Sequence, residues 1–302
     1  MSLKQAKSWK TNSLSWSLVL GVLLCVCTLA SAQPPPPRFA YVANGASQNI
    51  SAYTVDATFG ALTEIDGSPF PAQLAPLSVA VHPTGQFAYV AGPSSINGVS
   101  AYRIDAASGA LMAIANYPAG RNPNFVAVDP SGNFAYVANS FSNNISGYTI
   151  DDTGALTEMP DSPFATGTSP AGIATAVKMT VTFLYVANTF SDNVSGYSID
   201  GTTGALTPVP GSPFPFPPGS LPFSVAVHPT GQFAYVSYGS FQGNVRAFTI
   251  AEDGALTPVS EPVPAGMYPL SVTVDRRANS FMSRITSPTP SQHIPSTLKP
   301  VP

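Results

Sequence analysis

The stretch "SVAVHPTGQFAYV" occurs twice, at Ser78–Val90 and again, letter for letter, at Ser224–Val236. Each copy carries a histidine, His82 and His228, and the chain has one other, His293. A repeated histidine is either a duplicated catalytic base or part of a duplicated fold. Widening the comparison decides between them. The tyrosine of the "YV" pair recurs at Tyr41, Tyr89, Tyr136, Tyr185 and Tyr235, and the glycine of "GAL" at Gly60, Gly109, Gly154, Gly204 and Gly254. An "SPF" signature stands at 68–70, 162–164 and 212–214. Markers held in phase at a period of a few tens of residues fix the architecture before any other reading.

Each unit divides into four strand-like pieces, in the second unit Ser78–Val81, Phe87–Ala91, Val99–Ile104 and Ala110–Ile114. "HPTG" forces a tight turn between the first two, and "DAASG" closes on glycine between the last two. No unit has room for a ten-residue helical pattern free of Gly, Pro and β-branched residues. Four short antiparallel strands per unit make a β-propeller blade, so the chain is read as all-β with about five blade units. "FAYVA" alternates large with small rather than apolar with charged, as expected of a sheet packed on both faces.

The first 32 residues stand apart. Lys4, Lys7 and Lys10 precede an apolar run, Leu18 to Leu29, that ends in Ala30-Ser31-Ala32. That order predicts a signal peptide cleaved after Ala32, and hence a periplasmic or extracellular protein with no membrane span after cleavage. Cys25 and Cys27 fall inside it, leaving 33–302 without thiols for disulfides or metal sites. "PPPP" within the 33–38 segment reads as a stiff spacer. Beyond Asp275 the pattern gives way to a Ser/Pro-rich stretch, 276–302, expected to be disordered. The mature chain carries 9 bases and 15 acids, a net charge of 9 − 15 = −6. With no basic run, a nucleic-acid partner is not expected.

Units of the form "P-x-x-V-A-V-x-P-x-G-x-F-x-Y-V-A-N … N-V-S-G-Y-x-I-D … G-A-L-T" resemble the YVTN-type propeller repeats, and in particular the secreted β-propeller lactonases, the 6-phosphogluconolactonase-like group. The resemblance covers roughly 39–275. It implies hydrolysis of a sugar or related lactone, no cofactor, and a monomer whose partner is a small-molecule lactone or a surface ligand. That family has seven blades, two more than the units recognised here. The innermost-strand piece Ser271–Asp275 could complete the first blade and close five units, but the loss of the repeat after it is better explained by a truncated or frame-altered seven-bladed ancestor.

By the family pattern, ligands meet the loops that enter the inner strand and those that join the second strand to the third. The "HPTG" and "GAL" turns lie at the other end. His82 and His228 align with Asp129 and Asp275, and a slot that takes either residue before Pro-x-Gly caps a turn. Asp56, Asp105, Asp151 and Asp200 likewise share one turn slot. At the ligand end the candidate catalytic residues are Arg121, Asp192 and Arg246, the last standing where sister units carry Ser51, Ser100, Ser146 and Ser195. Candidate ligand-binding residues are Asn122, Asn139, Asn188, Tyr238 and Tyr268. The His/Arg/Glu cluster of the family's enzymes has no residue-by-residue match here, and two arginines are few for a phosphorylated substrate. No Walker loop, zinc spacing, calcium loop or G-x-S-x-G elbow occurs, so no metal is expected. The alternative to a lactonase is a non-catalytic binding propeller.

Overall fold

The computed structural model describes residues 38–72, 75–93 and 98–274. The expected signal segment, the spacer as far as residue 37, and the 276–302 tail lie outside the described residues. All regular structure described is β, in five antiparallel sheets. The first holds β1 (Arg38–Asn44), β2 (Asn49–Val55), β3 (Leu62–Glu64) and β4 (Phe70–Pro71). The second holds β5 (Ser78–Val81), β6 (Phe87–Gly92), β7 (Gly98–Ile104) and β8 (Leu111–Pro118). In the third are β9 (Pro123–Val128), β10 (Phe134–Asn139), β11 (Asn144–Ile150), β12 (Leu156–Glu158) and β13 (Phe164–Ala165). The fourth comprises β14 (Pro170–Lys178), β15 (Val181–Asn188), β16 (Asn193–Ile199), β17 (Leu206–Pro208) and β18 (Phe214–Pro215). The fifth comprises β19 (Pro222–Val227), β20 (Phe233–Tyr238), β21 (Asn244–Ile250), β22 (Leu256–Pro258) and β23 (Val263–Pro264).

The four-stranded blade expected from the sequence carries one refinement. In four sheets the outermost strand is split into two short pieces that both pair with the third strand, as β12 and β13 do with β11. The "SPF" signature makes the break at three of these sites, where the Ser68-Pro69, Ser162-Pro163 and Ser212-Pro213 bonds are cis. There the serine hydroxyl takes a backbone N–H of the third strand, from Ala52, Gly147 or Gly196. In the fourth sheet, where the "DPSG" turn is missing, the inner and second strands simply run longer and meet in a hairpin at Met179.

Apolar side chains fill the space between each sheet and the next, giving one cluster per pair from first–second to fourth–fifth. Strands β6 and β10 are buried along their whole length, because both faces of "FAYVA" meet a neighbour. The less favoured option, that 271–275 completes the first sheet, is not seen over the described residues 271–274. They form no strand, and β1 has β2 as its one described partner. Instead the Val272 N–H donates to the Ser224 hydroxyl of the fifth sheet at 3.3 Å, as Val126 of the third sheet does to Ser78 of the second. Residues 271–274 therefore lie where the inner strand of a following sheet belongs.

The two strongest sequence markers prove to be two halves of one contact. Tyr41, Tyr89, Tyr136 and Tyr185 donate their hydroxyls to the carbonyls of Gly109, Gly154, Gly204 and Gly254, one sheet further on, at 2.8, 3.1, 2.7 and 2.7 Å. Each of these glycines has a positive φ, between 75° and 85°. A Cβ there would overlap the ring of Phe39, Phe87, Phe134 or Phe183, which precedes the tyrosine by two residues. Both the backbone twist and the close approach require glycine.

Tyr136→Phe is expected to cost about 1–3 kcal/mol, since it leaves the buried Gly204 carbonyl without its donor. Gly204→Ala is expected to cost more, about 2–4 kcal/mol, because it adds the left-handed penalty and overpacking together. Chemical denaturation of the two variants checks the order. Burial also raises the phenol pKa values, Tyr41 to about 12 and Tyr89, Tyr136 and Tyr185 further. Their unfolded value is near 10. Since the folded values are raised, this stability is whole below about pH 10 and is lost as pH climbs toward 12 and beyond. Urea midpoints measured across pH 9–12 are expected to fall steadily above about pH 10.

Candidate functional site

The two ends of the sheets differ in what their polar groups do. At the turn end the repeated acids and histidines among the described residues cap local turns. Asp129 takes N–H groups of Ser131 and Phe134 and the Ser131 hydroxyl. His82 Nδ1 meets Thr84, while its Nε2 lies 2.8 Å from the Gly132 carbonyl of the next sheet. His228 caps the Thr230 turn through Nδ1 in the same way, but its Nε2 is buried with no hydrogen-bond partner among the described residues. Local hydrogen bonds, Ser108 N–H first, hold the Asp105 carboxyl below its usual range; Asp151 is held down first by the Thr153 hydroxyl and Asp200 by the Thr203 N–H.

At the other end, the loops entering the inner strands are tied to the loops joining second and third strands. Ser140 N–H donates to the Asn122 carbonyl, and the Asn122 amide to the Ser140 hydroxyl at 2.6 Å. Arg121 is exposed, and its backbone N–H donates to Ser142. Asp192 has φ 48°, in the slot held by Gln48 and Asn143 in sister loops, both also left-handed. One Asp192 oxygen takes the Gly219 N–H and the other the Leu221 N–H, each at 2.8 Å, so the carboxylate fastens the loop leading to β19. The three candidate catalytic residues are not gathered by hydrogen bonds or ion pairs. Arg121 belongs to the loop entering the third sheet, whereas Asp192 and Arg246 flank the Phe216–Leu221 segment between fourth and fifth. Tyr268, with φ 50°, packs its ring on Phe241 at 5.5 Å.

Asn139 and Asn188 are fully buried. Each donates to the residue opposite it across the hairpin, Asn144 or Asn193, and to the Ser146 or Ser195 hydroxyl. They belong to a set of equivalent clefts between successive sheets. In the third–fourth cleft, the Thr166 hydroxyl completes the network by donating to Asn188 at 3.0 Å, and Tyr197 donates to the Ala165 carbonyl. In the second–third cleft, Ala119 stands in the threonine slot. There Asn139 Oδ1 is buried without a partner, beside a cleft of about 190 Å³ lined by Ala119, Gly120, Asn144, Ser146 and Glu158.

The fourth–fifth cleft replaces all four positions. Phe216 stands for Thr166, Tyr238 for Asn188, Arg246 for Ser195 and Phe248 for Tyr197. Phe216 packs edge-on against Tyr238 at 5.0 Å and against Phe248 at 5.7 Å. The Arg246 guanidinium carbon lies 5.9 and 5.8 Å from the Phe216 and Phe248 ring centres, within cation–π range. Its Nε is buried with no hydrogen-bond partner. Burial raises the Tyr238 pKa, Arg246 opposes that shift, and Glu261 adds to it. The result is an aromatic-walled cation whose N–H donors meet no acceptor among the described residues. Such a group is suited to an oxygen carrying full or partial negative charge. No group of three or more His, Cys, Asp and Glu that would hold a metal gathers among the described residues. The sequence singles out Arg246 and Tyr238 but misses Phe216 and Phe248. Their signal was available as departures from the Thr166 and Tyr197 slots.

Asp192→Asn preserves the left-handed backbone, as Asn143 does, yet swaps one acceptor for a donor facing an N–H. It is expected to lower stability by about 1–3 kcal/mol. Amide exchange at Gly219 or Leu221 should accelerate while exchange in β10 stays unchanged.

No helix among the described residues is long and apolar enough to cross a membrane. A search of curated proteins gives no match. Among solved structures, a candidate 6-phosphogluconolactonase from Bacteroides fragilis superimposes with a TM-score of 0.65 at 19% identity, covering 78% of this chain and 69% of that one. The periplasmic gluconolactonase of Pseudomonas aeruginosa gives 0.62 at 15% identity, covering 76% and 69%. A protein of unknown function from Desulfotomaculum acetoxidans gives 0.60 at 18%, covering 80% and 72%. At these identities the likeness is one of fold. The sequence model described as "Lactonase, 7-bladed beta-propeller" matches residues 34–128 and 126–220, more than half of the chain, and the protein belongs to that family.

Proposed function

We propose that the protein acts after export as a lactonase, opening the ring of an unphosphorylated sugar-type lactone at the cleft between the fourth and fifth sheets. The observation that carries this reading is the Arg246 guanidinium, whose Nε is buried without an acceptor between Phe216 and Phe248. Membership of the lactonase family supports it. A lactone presents one carbonyl oxygen on a compact ring with apolar C–H faces, which suits a single cation in an aromatic wall. A phosphorylated lactone would require further cations that this cleft lacks.

In the reaction, water adds to the lactone carbonyl carbon and charge gathers on the carbonyl oxygen, where Arg246 donates. The tetrahedral adduct expels the ring oxygen, which takes up a proton. The water's proton leaves to solvent, and the product is a hydroxy acid. His82 and His228 lie at the other end, where their Nδ1 atoms cap turns, and Asp192 is held by two backbone N–H groups. Arg246 thus acts by stabilising charge, and general base help from those residues is not invoked. A hydroxy acid carboxylate would pair with the same guanidinium, so product inhibition is part of the reading.

Assay of the 33–302 protein against a panel of aldonolactones, read as acid release above the spontaneous rate, tests it. Arg246→Ala is expected to lower kcat/KM by about 10²–10³-fold, the usual effect of removing one oxyanion donor. Arg121→Ala, at a different cleft, is expected to leave it within a factor of two or so of wild type. Absence of turnover across the panel, or equal turnover by Arg246→Ala, overturns the proposal.

A further inference from the structure

Three phenylalanines at the ligand end have no part in the cleft just described. Phe141, Phe190 and Phe241 occupy the same position in the loops joining β10 to β11, β15 to β16 and β20 to β21. They are 67%, 69% and 72% exposed, although large apolar side chains elsewhere in these sheets are mostly buried. The sister loop of the first sheet has Ala46 at this position, so the loop shape does not require an aromatic ring.

The backbone beneath the rings is firmly held. Phe141 N–H donates to the Arg121 carbonyl, and Phe190 N–H to the Thr168 carbonyl. The adjoining Ser142 and Ser191 hydroxyls accept from Arg121 N–H and Thr168 N–H. In the fifth sheet, Tyr268 N–H donates to the Ser240 carbonyl and the Tyr268 ring supports Phe241. Rings carried on such loops lose little freedom when they are covered, which favours binding.

The surroundings narrow the occupant. The loops that carry and adjoin the rings hold neutral hydrogen-bonding residues, among them Asn122, Ser169 and Gln242. Arg121 is the one base in these loops among the described residues, and the Asp192 carboxylate is spent on Gly219 and Leu221. A single cation does not make the basic cluster that an anionic lipid surface or a nucleic acid requires. Exposed rings, one on each of the third, fourth and fifth sheets, with amides and hydroxyls in the same loops, suit a chain of neutral sugars. Such a chain alternates apolar C–H faces, which stack on rings, with hydroxyls that bond to amides.

We propose that Phe141, Phe190 and Phe241 form a binding rim for a neutral polysaccharide, separate from the Arg246 cleft. The rim holds the protein on a glycan through successive stacked residues, each weak alone and additive along the chain. The test is native affinity electrophoresis of the 33–302 protein in gels containing hydroxyethyl cellulose, laminarin or dextran. Wild type is expected to be retarded in at least one gel relative to a polymer-free gel. The triple variant Phe141→Ala/Phe190→Ala/Phe241→Ala is expected to lose that retardation while melting at the wild-type temperature, and Arg246→Ala is expected to keep it. No retardation of wild type in any gel, or equal retardation of a folded triple variant, overturns the proposal. So does a dimer in polymer-free solution that the triple variant abolishes, since the rings would then cover a second copy of the chain.

Discussion

The hydrogen bond from a second-strand tyrosine to a glycine carbonyl in the next sheet is the constraint on which the rest of the structure depends. One such sheet presents two apolar faces that it cannot bury by itself. It becomes stable by covering both faces, and the tyrosine latch sets the distance and rotation at which the next sheet docks. Because the glycine also accommodates the phenylalanine two residues before the tyrosine, a single contact specifies spacing, twist and packing together. Tyr235, in the last described second strand, shows the converse. It has no latch among the described residues and is only partly buried, whereas Tyr89, Tyr136 and Tyr185 are fully buried.

A lock confined to one end of the sheets frees the other end to vary. Three successive clefts show how far. One fills the same four positions with a threonine–asparagine–serine network and a tyrosine. A second removes the threonine and leaves Asn139 Oδ1 unpartnered beside an opening. The third exchanges all four for three aromatic residues and an arginine. The turn slots vary too: His82 and His228 cap one N–H where Asp129 takes two, Ala251 stands where sister units carry aspartate, and the fourth sheet replaces the first of these turns with a hairpin. Only the loop-end exchanges, though, bring in a charged side chain and a set of aromatic rings while leaving the tyrosine latch untouched, and loops on a fixed scaffold are the expected place for function.

The sequence disclosed much of this because a repeat supplies its own comparison. Phase between "YV" and "GAL" reports the latch even without knowledge that the two touch, and the His82/Asp129 exchange removes the histidines from catalytic consideration. Asp192 was harder to read. It looked like a free acid in a ligand loop, and only the fold brings Gly219 and Leu221 back to it from 27 and 29 residues away. The aromatic cleft was half legible. Arg246 departs visibly from serine, but its meaning depends on Phe216, which belongs to the preceding sheet. Single-position comparison cannot show that Thr166, Asn188, Ser195 and Tyr197 are one network until their sheets are placed side by side.

The energetics of Arg246 explain why that network changed as a set. A guanidinium put into the serine slot of the third–fourth cleft would meet Asn188 and Thr166, whose remaining groups are already committed, and would lose hydration without return. Replacing the asparagine, threonine and tyrosine by Tyr238, Phe216 and Phe248 substitutes ring faces for hydration and offsets part of that cost through cation–π attraction. Ring faces attract the charge but accept no strong hydrogen bond, so the N–H donors stay available. A salt bridge to a carboxylate would have stabilised the arginine more and closed it to any ligand. Glu261 lies near enough to perturb Tyr238 yet forms no ion pair with Arg246 among the described contacts. The cleft therefore keeps a partly desolvated, unpaired cation, and the proposed lactonase reading rests on that state.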